Sequence, residues 1–336
     1  MARQNEIHRT AAPFAAENAS CIGMSIYMRT MLCCLLFATL GEAAFAQPEG
    51  WAAIDWRSVT VDRVKSLLGA DAGGRESVEL GPANDPDGRF PPGRASALLL
   101  ASCYARDAEA VRLLVAAGAR ADDTGGLSPL MYAAEYNPEP AVSEALIAAG
   151  ADVKANLGYA MLARPALTYA AQYNENPAVI AILVAKGAKV DAKVSVLDNM
   201  GFTPLMYAAQ YNRNPRVVEE LVKEGATVNL ADAMGRTALV FAAQYNPEPR
   251  VLAALLAAGA SVDFVGRDYY NVGFSPLMYA AISEGAPLEK IRLLLDAGAD
   301  ARVRSGEGKT ALDYASANDA VPKGDGVYLR LEGATR

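Results

Sequence analysis

The sequence predicts an all-α solenoid, a stack of about seven helix–turn–helix units behind a worn N-terminal capping unit. Three observations carry that expectation. Leucines recur at Leu98, Leu130, Leu167, Leu205, Leu239, Leu277 and Leu312, each opening a similar line of sequence. Apolar residues inside each line fall at helical spacing, as Leu205, Ala208 and Ala209 do, followed by Val217, Val218, Leu221 and Val222. The turn between the two helices is written four times as Tyr-Asn-x-x-Pro, at Tyr136, Tyr173, Tyr211 and Tyr245. A catalytic motif is needed once, so fourfold recurrence points to architecture, and self-similarity at this period marks a repeat protein.

Each element of a unit follows from local rules. In "GFTPLMYAAQYNRNPRVVEELVKEGATVN", Thr203 supplies an N-cap and Pro204 the first helical position, where a missing N–H costs nothing. Gly225 offers the left-handed residue that ends the second helix. Within the turn, Asn137, Asn174, Asn212 and Asn246 are expected to take the left-handed conformation that closes the first helix, a role Asn fills after Gly. Pro140, Pro177, Pro215 and Pro249 then open the second helix.

Pieces such as "TPLMYAA" with "VVEELVKEGATVN", "SPLMYAA" from Ser275, "RTALVFAA" from Arg236 and "LLLDAGAD" from Leu293 resemble the ankyrin repeat. The likeness runs over nearly the whole chain after residue 46. The position where that family writes His holds Met131, Thr168, Met206, Val240, Met278 or Asp313. The resemblance implies a non-enzymatic recognition scaffold with an extended concave surface, and fingers between units that project toward that surface.

The expected organisation has three parts. Residues 1–46 form an N-terminal extension and cleaved signal peptide: Arg29 stands near Met28, an apolar run follows from Met31 to Leu40, and Ala44-Phe45-Ala46 offers a small-x-small cleavage site. That run is too short to cross a bilayer. The address is therefore periplasmic or secreted, with no membrane insertion after cleavage. Residues 47–92 hold the degenerate capping unit, with Val61, Val64, Leu67 and Leu68 at helical spacing beside Trp51 and Trp56, and an acidic loop rich in Gly and Pro. Residues 93–336 are the repeat domain, closed by "GKTALDYASANDA" and "GVYLRLEGATR".

Composition narrows the function. With 52% apolar and 21% charged residues the chain has material for a core, and a formal charge of −7 without a Lys/Arg cluster argues against nucleic acid. Cleavage after Ala46 removes the only histidine, His8, and leaves Cys103 as the one cysteine. No internal disulfide, Cys/His metal site or His-based nucleophile pair can then form, so no metal or cofactor is expected. A hydrolase would have to use finger carboxylates such as Asp198, Asp263 and Asp268, and nothing in the sequence supplies them with a walled pocket.

The expected function is non-enzymatic binding of an exported protein or peptide by a monomer. Two groups of residues are candidates for the contact. The lengthened fingers carry Tyr159, Met161, Leu197, Met200, Phe264, Tyr269 and Tyr270, which either make a contact surface or bury one another in hairpins. The pairs Tyr132/Tyr136, Tyr169/Tyr173, Tyr207/Tyr211 and Phe241/Tyr245 stand at i,i+4 and would stack into a ladder, either as packing between units or as a Tyr-rich binding strip.

Overall fold

The computed structural model describes residues 55–70, 77–79, 94–122, 127–156, 164–196, 199–264 and 272–336. Two compact units divide the chain. The first takes residues up to 55 and 76–97, and its regular part is an antiparallel pair, β1 (Ser77–Glu79) with β2 (Arg94–Ser96).

The second unit is the helical stack. Its first helix in each pair, here the inner helix, is α2 (Ala97–Tyr104), α4 (Pro129–Tyr136), α6 (Ala166–Tyr173), α8 (Pro204–Tyr211), α10 (Ala238–Gln244), α12 (Pro276–Ala281) or α14 (Ala311–Ser316). The outer helices are α3 (Ala108–Ala116), α5 (Pro140–Ala148), α7 (Pro177–Ala185), α9 (Pro215–Lys223), α11 (Pro249–Ala257), α13 (Pro287–Asp296) and α15 (Gly326–Thr335). Ahead of them α1 (Val61–Ala70) packs on α3, with Trp56 and Val64 buried.

Helices of six to ten residues are too short to persist alone, so stacking supplies their stability. Inner helices pack on inner ones from α4 through α14, and outer on outer from α1 through α15. Fully buried alanine pairs, Ala133/Ala134, Ala170/Ala171, Ala208/Ala209, Ala242/Ala243 and Ala280/Ala281, let successive inner helices approach closely. Behind them Val142, Leu146, Val179, Leu183, Val217, Leu221, Val251 and Leu255 are excluded from water. Each such side chain contributes about 1.5–3 kcal/mol.

The two helices of a unit end differently. Outer helices stop at a left-handed glycine, with Gly150, Gly187, Gly225, Gly259 and Gly298 at φ between 84° and 99°. The next amide then reaches back, as Ala226 N–H does to the Leu221 carbonyl at 2.9 Å. Inner helices α4, α6 and α8 stop at asparagine in extended backbone: Asn137 at φ −95°, ψ 118°, Asn174 at −82°, 126°, and Asn212 at −81°, 131°. The expected left-handed closure by Asn137, Asn174, Asn212 and Asn246 is therefore wrong, since the one non-glycine residue with positive φ among those described is Ala286. Pro140, Pro177, Pro215 and Pro249 do stand first in α5, α7, α9 and α11.

Between α7 and α8 the finger forms a short hairpin, β3 (Val194–Val196) with β4 (Asn199–Phe202), which buries Val194 and Phe202.

Candidate functional site

The asparagines act between units. In each, the side-chain amide donates to two carbonyls of the preceding unit, and its oxygen accepts the amide two residues on. Asn212 Nδ2 reaches the Ala171 carbonyl at 3.1 Å and the Asn174 carbonyl at 2.9 Å, while Oδ1 accepts from Asn214 N–H at 2.9 Å. Asn137, Asn174 and Asn246 repeat the arrangement on Ser102 and Ala105, Ala134 and Asn137, and Ala209 and Asn212. All four are buried, so these bonds satisfy the orphan carbonyls at the end of the previous inner helix. Asn318 makes the same pair of bonds to Ala281 and Ser283 at the C-terminal end.

This fixed turn holds two rows of rings on the inner helices. The first row, Tyr169, Tyr207, Phe241 and Tyr279, is at most 2% exposed. The second row differs: Tyr136, Tyr211 and Tyr245 are half-buried and Tyr173 is exposed. Within a helix the rows touch, Tyr207 to Tyr211 at 6.4 Å between centroids and Phe241 to Tyr245 at 6.4 Å, both near-parallel. Tyr132, at the N-terminal end of the first row, is half-buried and stacks on Tyr136 at 6.3 Å.

The first row is buried because the residue just ahead of each N-cap folds over the ring four positions into the helix. Phe202 meets Tyr207 at 5.4 Å and Phe274 meets Tyr279 at 5.3 Å. The Arg164 guanidinium lies 4.6 Å from the Tyr169 ring and Arg236 lies 4.8 Å from Phe241. Lys309 repeats the contact on Tyr314 at 5.6 Å. This is the staple geometry of a helix N-terminus, built from aromatic and cation–π contacts.

The plates also bridge units: Arg164 lies 5.0 Å from Tyr207, Phe202 4.5 Å from Phe241, and Phe274 4.8 Å from Tyr314. Arg164 donates to Gln172 at 2.6 Å, and Arg236 pairs with buried Asp232 at 2.8 Å. Sequence reasoning missed Arg164, Phe202, Arg236 and Phe274. Their signal was a large side chain five residues before each first-row aromatic.

Exposure varies along the second row, from Tyr173, which is exposed, to Tyr211, which is half-buried. Burial pushes the Tyr211 phenol up to about 12, with Tyr173 and Tyr207 beside it adding to the rise. At the turn tips a shallow cleft of about 410 Å³ is lined by Glu175, Arg213, Asn214, Pro215, Arg216 and Arg250. Arg250 is paired with Glu248, and Glu175 shares the lining, so the cleft has little excess of positive charge.

Of the finger residues, Phe264 is half-buried at the end of its described segment, and the backbone of Met200 lies in β4. Tyr159, Met161, Leu197, Tyr269 and Tyr270 lie outside the described residues, as do Asp198, Asp268 and the segment read as a signal peptide. Asp263 accepts the Asp300 amide at 3.0 Å and so fastens one inter-unit loop to the next. Among the described residues no three His, Cys, Asp or Glu side chains gather as a metal site, and no helix is long and apolar enough to cross a membrane.

Stacked helix pairs, left-handed glycines after the outer helices and loops that join one pair to the next define a repeat scaffold. The profile for ankyrin repeats (3 copies) matches residues 52–157, 144–232, 167–265 and 206–305, and the chain belongs to that family. Among solved structures it is similar to the human ASB11 ankyrin repeat domain, at 25% identity and a TM-score of 0.57, over 71% of this chain and 98% of that one. No curated protein sequence matches it. Ankyrin repeats are typically non-enzymatic scaffolds for protein–protein interaction.

Proposed function

We propose that the chain is an exported, monomeric scaffold that captures a protein or peptide partner on its inner-helix face, with the long fingers completing the contact. The observation that supports this most is the second row of rings. Tyr136, Tyr173, Tyr211 and Tyr245 occupy the same position in four successive units, Tyr173 exposed and the other three half-buried, at the edge of a packed row. Rigid amphipathic rings give large contact area at low entropic cost, and a row of them held by a stiff scaffold is pre-organised for binding. Tyr159, Met161, Leu197, Met200, Phe264, Tyr269 and Tyr270 are the proposed finger contacts.

Export rests on Met31 to Leu40 followed by Ala44-Phe45-Ala46. Intact-mass analysis of protein from its native host should show a chain beginning at Gln47. A cytoplasmic species that keeps Met31 to Leu40 would contradict export.

Capture by the wild-type chain, compared with Tyr136/Tyr173/Tyr245→Ser and with Tyr269/Tyr270→Ser, tests the binding face. Loss of the same captured protein in both variants, at unchanged thermal midpoint, is expected. A partner retained by both variants would contradict the proposed face.

A further inference from the structure

One junction of the stack lacks the asparagine. Where earlier units read Tyr-Asn-x-x before the proline, the sixth reads Ser283-Glu284-Gly285-Ala286. The Ala243 carbonyl, equivalent to those of Ala134, Ala171 and Ala209 that accept from asparagine, is met by the amine of Lys290, which reaches in from the outer helix α13. Lys290 Nζ donates to that carbonyl at 3.1 Å and to Ser283 Oγ at 2.8 Å, and the residue is 0% exposed. Ser283 Oγ in turn donates to the Gly285 carbonyl at 3.2 Å. The substitute turn is tight: Ala286 sits at φ 52°, and a Cβ on Gly285 would lie 2.9 Å from Pro247 Cα.

A neutral amine has two protons for these two acceptors. An ammonium has three, and it brings a full charge into a site with no acid bonded to it. The charged and titratable groups on the elements packed around Lys290 are Arg250 on α11, Tyr279 on α12, and Tyr328, Arg330 and Glu332 on α15. To these are added Tyr245 and Glu248 on the turn that meets Gly285, Glu284 on the sixth unit's own turn, and Glu289, Arg292 and Asp296 on α13 itself. Arg250 is engaged by Glu248, Arg292 by Glu289 and Asp296, and Arg330 by Asp296. None of them shifts the lysine; burial alone pushes its amine down to about 8.

We propose that this junction is a protonation-controlled joint, at which neutral Lys290 locks α12–α15 onto the stack and the ammonium form lets these four helices open together while α4–α9 stay closed. The asparagine junctions have no titrating group in their bonds, so pH between 7 and 9 leaves those bonds unchanged. Lysine freed by opening regains its ordinary value near 10.5, so the open state holds the proton more tightly than the closed one. Closure therefore strengthens as pH rises from 7 to 9, by roughly tenfold in the closing equilibrium. The joint requires no partner and stands independently of the binding face proposed above.

Hydrogen exchange of the full chain at pH 7 and pH 9, corrected for intrinsic exchange rates, tests it. Amides of α12–α15 should gain about tenfold protection relative to those of α6–α9 in the same molecule, and Lys290→Met should abolish the gain. Equal change in both segments, or a gain that persists in Lys290→Met, would overturn the joint. Should Lys290→Met fail to fold, the wild-type Lys290 side chain followed by NMR decides: a midpoint near 8 supports the joint, and one above 10 removes its basis.

Discussion

The two rows of rings share helices and chemistry and differ in how deeply they are buried. Tyr169, Tyr207 and Phe241 are sealed by a residue from the approach to the helix and are at most 2% exposed, whereas one turn further on Tyr211 and Tyr245 are half-buried and Tyr173 is exposed. One repeat thus holds a fully buried aromatic and, one turn on, a more accessible one. Four substitutions bring out the difference, in falling order of expected effect.

Tyr207→Ala should cost about 4 kcal/mol, because the ring is enclosed by Phe202, Arg164 and Tyr211 and its loss leaves a cavity. Chemical denaturation gives the value, and a cost near zero would place the first row outside the core. Arg236→Met should cost about 3 kcal/mol: the apolar chain can still cover Phe241, but Asp232 is left charged in a site where its side chain is 1% exposed. Asp232→Asn in that background should recover much of the loss.

Tyr211→Phe probes the boundary between the rows. The folded phenol is raised to about 12 from an ordinary 10, so its contribution is complete below pH 10 and is lost as pH rises through 12. Wild-type stability should fall between pH 10 and 12 more steeply than that of Tyr211→Phe, and parallel curves would mean that the ring is solvated. Tyr173→Ser, in the exposed part of the second row, should change stability by no more than about 0.5 kcal/mol. A larger loss would show that the presented row also holds the stack together.

Elements whose cause is local were legible in the sequence. Pro215 opens α9 because of its own ring, and Gly225 ends it because of its own backbone freedom. Asn212 was misread for the opposite reason. Its two acceptors, on Ala171 and Asn174, lie 41 and 38 residues earlier, and no inspection of a single turn shows them. The same distance hides Lys290, whose acceptor on Ala243 is 47 residues away. The plates were within reach, since Phe202 and Tyr207 are five residues apart, but they became meaningful only once the first row was known to be buried.

The central claim is that the turn asparagine fastens one unit to the next, and Asn212→Gly tests it most directly. Glycine is the best residue for a left-handed helix end, so an asparagine used for that purpose could be replaced at no loss. In extended backbone glycine gains nothing, and the carbonyls of Ala171 and Asn174 and the amide of Asn214 lose their partner. Denaturant unfolding of Asn212→Gly should show a loss of about 3 kcal/mol, close to that of Asn212→Ala. Stability within about 0.5 kcal/mol of wild type would contradict the account.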